Sequence, residues 1–404
     1  MKKGSLKIVL LAVILFSSVS LKAESKETLF NPLLTAVPSL VIAPDARGGG
    51  LGDVGAATSA DINSQYWNPA KYAQMESRGG FSISYTPWLR KIVNDIDLAY
   101  LAGYYKLDEQ QALSASFRYF SLGEINLTDM PGVSSSEPIV IGIAKPYELA
   151  VDLGYSRNLS ERWSAAVALR FIYSDLTNGM TDDASSYSAG VAMGADVAAY
   201  YVAPVNVGGP KDAKASFGVN ISNIGTKISY DRGVTQQFIP TNLRIGGAFE
   251  YPFDEYNTLT AAVDLNKLLV PTPPKMWTTD MTHEEELAYL QAWEDYRNIS
   301  SIAGIFKSFG DAPGGFKEEL EEIMWSVGLE YAYDKQFLVR GGYFHEAQNK
   351  GNRKYFAFGV GFNLSIFQLN AAYLISTAQS NPLDQTLRFS LGFDLAGLKR
   401  IVQN

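Results

Sequence analysis

The stretch LRFSLGFDL, Leu387–Leu395, sets Leu387, Phe389, Leu391, Phe393 and Leu395 on one face of an extended chain and Arg388, Ser390, Gly392 and Asp394 on the other. Successive side chains of a strand point to opposite faces, so a period of two gives this segment one apolar and one polar surface. From about residue 80 to residue 395 the chain repeats that pattern in fourteen runs, near 80–88, 97–107, 111–122, 147–158, 163–175, 185–202, 213–222, 241–251, 257–268, 323–333, 337–346, 353–364, 367–376 and 384–395. One run alone does not tell a membrane wall from a sheet of a soluble sandwich. The connections do. They are alternately short and long, as in a barrel with tight turns at one end, long loops at the other and an even strand number. The expected fold class is all-β: a transmembrane antiparallel β-barrel of about 14 strands with an N-terminal plug and a helical external loop.

Residues 1–23 carry Lys2, Lys3 and Lys7, the apolar stretch Ile8 to Phe16 and a Ser-rich segment ending at Ala23, which reads as a cleavable secretory signal. Its apolar core is too short to span a bilayer as a helix. Mean hydropathy is near zero although 47% of residues are hydrophobic, because half of every barrel strand is polar. No cysteine is present, which excludes disulfides, thiolate metal sites and thiol nucleophiles. The net charge of −8 becomes −12 once the four signal lysines leave, 30 basic residues facing 42 acidic ones, so nucleic acid is not an expected partner.

Three parts are expected: the signal at 1–23, a plug at 24–79, and a barrel at 80–404 that includes a long external loop at 269–322. A fourteen-stranded barrel is too wide for its own side chains to fill. The run ARGGGLGDVGAATSADINSQYWNPAKYAQM, rich in glycine, alanine and turn formers, is expected to fold inside it, entering from the periplasmic side. The inward set combines Arg118, Arg170, Arg244, Arg340 and Arg388 with Asp152, Asp264, Glu330 and Asp394. Mixed signs select no ion, so pairing with a plug and across the wall is the preferred reading over a selectivity ring.

In the long loop, Thr282 and Glu285 fit a capping box, and Leu287, Leu290, Trp293 and Tyr296 form an apolar stripe on a helix of about four turns. Trp277, Trp293, Phe306, Phe309 and Phe316 are the candidate partner-binding residues of this loop. Packing of the same rings onto the barrel fits the sequence equally. The plug candidates are Gly50, Gly52, Trp67, Asn68 and Pro69. Gly50, Gly52 and Gly55 match G-x-G-x-x-G by spacing, but the βαβ context of a dinucleotide site is missing. His283-Glu-Glu-Glu-Leu lacks the second histidine of a zinc protease, and His345 beside Glu346 is the only opening for a Ser/His lipid hydrolase. No catalytic residue, metal or cofactor is expected.

The Gly-rich turn followed by Tyr66-Trp67-Asn68-Pro69-Ala70 resembles the start of the FadL-like outer-membrane proteins, which implies a fourteen-stranded barrel with an N-terminal plug. Ile221–Tyr230 (ISNIGTKISY), Phe238–Tyr251 (FIPTNLRIGGAFEY) and Gly304–Leu320 (GIFKSFGDAPGGFKEEL) are similar to the PorV family of the type IX secretion system. That resemblance implies an outer-membrane shuttle without enzymatic activity. Its partners would be secreted proteins with C-terminal signal domains, a giant translocon barrel, a surface attachment complex with a sortase-like peptidase, and outer-membrane lipid. The wider FadL-like group implies the alternative, passive transport of hydrophobic small molecules along a continuous apolar path.

Overall fold

The computed structural model describes residues 30–395 apart from 91–92, 94, 130–138, 177, 179–187, 209–210, 275–280, 365 and 379–382. The expected signal at 1–23 lies outside the described residues. Sixteen strands are found among them: Gly79–Pro87 (β1), Ile96–Lys106 (β2), Gln111–Leu122 (β3), Ile125–Asp129 (β4), Ile139–Ala144 (β5), Tyr147–Asn158 (β6), Trp163–Asp175 (β7), Gly190–Val205 (β8), Ala213–Gly225 (β9), Asn242–Pro252 (β10), Asn257–Leu268 (β11), Ile323–Tyr333 (β12), Phe337–His345 (β13), Lys354–Asn363 (β14), Phe367–Ser376 (β15) and Leu387–Asp394 (β16). Fourteen of them close into an antiparallel barrel in which β1 pairs with both β2 and β16. Closure leaves no strand edge with unpaired backbone groups, as a bilayer core requires. The remaining two, β4 and β5, pair only with each other in the connection between β3 and β6. That hairpin was not among the expected runs.

The alternation in the last run is realised as read. Arg388 and Ser390 are buried, while Leu387 and Phe389 are 41% and 47% exposed on the outer wall. In water such a surface would aggregate; in lipid it is the solvated face.

Residues 31–78 fill the lumen, in one compact unit with the barrel. The Asn31 N–H donates to Asn349 O (2.9 Å) and the Ala36 N–H to Phe238 O (2.9 Å), both in connections at the long-loop end. The helix Ala46–Gly50 (α1) lies deeper, its Ala46 N–H bonded to Ser390 Oγ (2.9 Å). Next come the helix Ser64–Trp67 (α2) and a 3-10 turn at Pro69–Gln74, whose Ala73 O accepts from Asn158 Nδ2 (3.0 Å). At the short-turn end Arg78 O accepts from the Lys106 N–H (2.7 Å). The described segment thus starts at the long-loop end and runs down to the short-turn end, where it joins β1. The pattern of small residues shows that a stretch is compact, not which way it threads.

The connection from β11 to β12 carries three helices, His283–Asn298 (α3), Ser301–Lys307 (α4) and Phe316–Glu321 (α5). Thr282 and Glu285 make the capping box on α3. The Thr282 hydroxyl accepts from the Glu285 N–H (3.4 Å) and the Glu285 carboxylate from the Thr282 N–H (2.8 Å), so two donors that a helix start leaves open are satisfied.

Candidate functional site, a seated plug and an external lid

Four clusters of inward side chains hold the plug. Arg388 donates to Asp53 Oδ1 (2.5 Å), and the other Asp53 oxygen accepts from Tyr355 OH (2.5 Å). Glu330 bridges Arg340 of the wall (2.6 Å) and Arg47 of the plug (3.0 Å), and Arg47 also reaches Asp61 (2.7 Å). Asp264 accepts the Gly55 and Ala56 N–H groups on a single oxygen (2.8 and 2.9 Å). Arg244 donates to Tyr66 O (3.0 Å) with its guanidinium over the Tyr66 and Trp67 rings, and Arg118 binds the carbonyls of Ser39 and Ile42. Arg170 is different. It pairs with Asp152 (2.6 Å) and Asp196 (3.1 Å), all three on the wall. A charge taken out of water must be paired or hydrogen-bonded, and these groups are.

The plug residues singled out by sequence lie inside this seat. Trp67 is buried, with Nε1 donating to Asp45 Oδ1 (2.6 Å) and its ring against Gly48 and Gly55. Asn68 Oδ1 caps the 3-10 turn through the Ala70 N–H (3.1 Å), and Pro69 takes a first position that needs no N–H donor. Asn68 Nδ2 reaches Ala199 O of β8 (2.9 Å). Gly52 has φ +76°, and a Cβ there would sit 2.6 Å from Tyr343 N; at Gly50 a Cβ would sit 2.9 Å from Gly359 Cα. Backbone meets backbone at both places, so only glycine fits. The sequence reading missed Asp196 and Glu148 on the wall and Arg47, Asp53 and Asp61 in the plug. Asp196 had a usable signal, since it continues the inward alternation of Ala192, Gly194, Ala198 and Tyr200.

The lumen has open space at both ends. A vestibule of about 780 Å³ at the short-turn end is lined by both signs, including Glu161, Arg162, Lys214 and Glu250. Above the plug, spaces of about 50 and 200 Å³ meet Arg244, Arg353, Glu346 and Lys350.

The lid is fastened by its last helix. Lys267 pairs with Glu319 (3.0 Å) and Glu322 (2.6 Å), and Lys350 with Glu318 (2.6 Å) and Glu322 (3.0 Å). Asn31 Nδ2 adds a bond to Glu318 (3.1 Å), tying the start of the plug segment to the same helix. Partial burial alone would raise the Glu318 pKa; the bonds from Lys350, Asn31 and the Gly314 N–H outweigh it and hold the carboxyl below its ordinary 4.5. A folded value below the unfolded one means that the loosened lid takes up the proton first. The stabilisation is complete above about pH 4.5 and is lost as pH falls from there through the folded value. Protease cleavage within 269–322 is expected to rise in that window. Burial pushes Asp311 the other way, so Lys350→Gln, which should flatten the Glu318 contribution, isolates it.

The candidate partner residues divide. Trp293 is partly buried against Tyr296 (5.5 Å between centroids), in a cluster with Phe238 and Val270. Phe306, Phe309 and Phe316 are 75%, 56% and 77% exposed. Leu287 and Leu290, the first half of the expected stripe, are exposed as well. Trp277 lies outside the described residues. His345 stacks on Trp325 (4.9 Å), and the exposed His283 is 3.6 Å from Glu286.

The family model described as type IX secretion system protein PorV matches residues 24–275. None of the curated proteins matches the sequence. Among solved structures, a TodX deltaS2S3 mutant, titled a monoaromatic hydrocarbon channel, is similar with TM-score 0.51 and 10% identity, covering 86% of this chain and 98% of its own. A Pseudomonas aeruginosa FadL homologue reaches TM-score 0.41 and 10% identity, covering 88% and 99%. At such identity the likeness is one of fold alone, that of a closed antiparallel β-barrel. With the family model spanning more than half of it, the chain belongs to the PorV family of the type IX secretion system.

Proposed function

We propose that this barrel is a non-catalytic carrier that binds secreted proteins by their C-terminal signal domains at its external lid. It receives them from the translocon barrel and passes them to the surface attachment complex. The observation that carries this reading is the exposure of Phe306, Phe309 and Phe316 on a loop that is itself anchored by buried ion pairs. Aromatic rings held out on a rigid support are what a protein partner uses as anchors. A transporter of hydrophobic molecules would need a continuous apolar path, whereas the lumen here is occupied by a plug bound through charged pairs.

The test is affinity capture of the tagged protein from native outer membranes in mild detergent, followed by mass spectrometry. Exported proteins that share a C-terminal domain, or a giant barrel, are the expected companions. Recovery alone, or with bound apolar small molecules, would replace the carrier by the transporter.

A further inference from the structure

The outer wall is not uniformly convex. Across β10 to β14 it is hollowed into an apolar groove of about 860 Å³, within the roughly 300–1,000 Å³ of ligand sites. Its lower row runs Phe249, Ala261, Leu329, Gly341, Phe358, each opposite the next on the neighbouring strand. Phe249, Leu329 and Phe358 stand out from the wall, and Ala261 and Gly341 form the two low points of the floor on either side of Leu329. A Cβ added at Gly341 would meet nothing within 4 Å, and one at Gly247, on the row above, would meet only Ser216 O at 3.9 Å. These two glycines are therefore not required by the packing of the barrel, unlike Gly50 and Gly52.

Two positions nearer the long-loop end, the ladder reads Ile245, Leu265, Trp325, His345, Lys354. Trp325 stacks with His345 and packs on Tyr343 (5.5 Å), which in turn packs on Phe356 (5.0 Å) at the groove itself. A slot sized for hydrocarbon thus ends at an aromatic belt carrying two basic groups side by side. At that depth of a bilayer the lipid changes from chain to headgroup.

We propose that this groove seats an acyl chain of a phosphorylated membrane lipid, with its phosphate held by His345 and Lys354. The chain fills the floor at Ala261 and Gly341, and the anionic headgroup answers the only basic pair on that ladder. The site is on the outer wall and does not depend on what the lid carries.

The purified full-length protein in neutral detergent is titrated with dioleoyl phosphatidylglycerol or with dioleoylglycerol, and retained lipid is counted by native mass spectrometry. Phosphatidylglycerol should be retained at least tenfold better than dioleoylglycerol. Ala261→Leu and Gly341→Leu, which fill the floor, should each lower its retention at least tenfold, while Lys354→Gln with His345→Gln should reduce it to the dioleoylglycerol level. Unchanged heat-dependent gel migration shows that each variant is folded. Equal retention by wild type and the filled variants would overturn the proposal. So would filled variants that keep the lipid but lose a membrane protein recovered with the wild type, which would make the groove a protein seat.

Discussion

Glu330→Gln is expected to unseat the plug and turn a silent barrel into a leaking one. The carboxylate is buried between two guanidiniums, Arg340 of β13 and Arg47 of the plug. Removing its charge leaves Arg340 without its carboxylate and Arg47 with Asp61 alone, and breaking a buried pair in this way costs about 3–5 kcal/mol. The wall itself loses no ladder hydrogen bond, because Glu330 acts through its side chain. The loss should therefore fall on the plug and leave the barrel closed. Reconstituted in planar bilayers, the wild type should show no steady conductance and the variant frequent openings. Glu330→Met combined with Arg340→Met should be milder, since Arg47 keeps Asp61 and the wall no longer buries an orphan charge. A Glu330→Gln protein as silent as the wild type would show that this bridge does not hold the plug.

The barrel was legible because its signal is local: strand period, turn length and loop parity are all read within a dozen residues. Six runs, among them 111–122, 147–158 and 257–268, coincide with the observed strands. The hairpin β4–β5 escaped because it pairs outside the barrel, so it adds nothing to the alternation of short and long connections. Between β8 and β9 the register shifts at Ala195/Val197: Ser222 and Asn223 of β9 stand opposite Asp196, which accepts the N–H of Asn223 (2.8 Å), itself at φ +59°. A bulge of that kind is set by the partner strand and is invisible to periodicity.

The plug seat was legible only in part. Its glycines and its inward charges could each be named, but Asp53 and Arg388 are 335 positions apart, and nothing local pairs them. The lid shows the same limit. The capping box located α3, yet the apolar stripe along it did not reveal that Tyr296 is buried while Leu287 and Leu290 are exposed. A stripe says that one face is apolar; the height of the helix above the barrel decides how much of that face is covered.

The triple variant Phe306→Ser, Phe309→Ser, Phe316→Ser is expected to abolish cargo capture while leaving the protein folded. More than half of each ring is already exposed, so little packing is lost when it is removed. Anchor residues of an interface are worth about 2 kcal/mol or more each. Even with substantial non-additivity, the three together should weaken cargo binding by at least about a hundredfold. Trp293→Ala makes the contrasting case. Its ring supports Tyr296 and Phe238, so the variant should loosen the lid, raise proteolysis within 269–322 and reduce capture only in proportion to that loosening. Binding of a purified C-terminal signal domain to immobilised barrel, measured beside limited proteolysis, separates the two. If the triple variant binds as the wild type does, the exposed rings are not the contact, and cargo must be recognised elsewhere on the long-loop end.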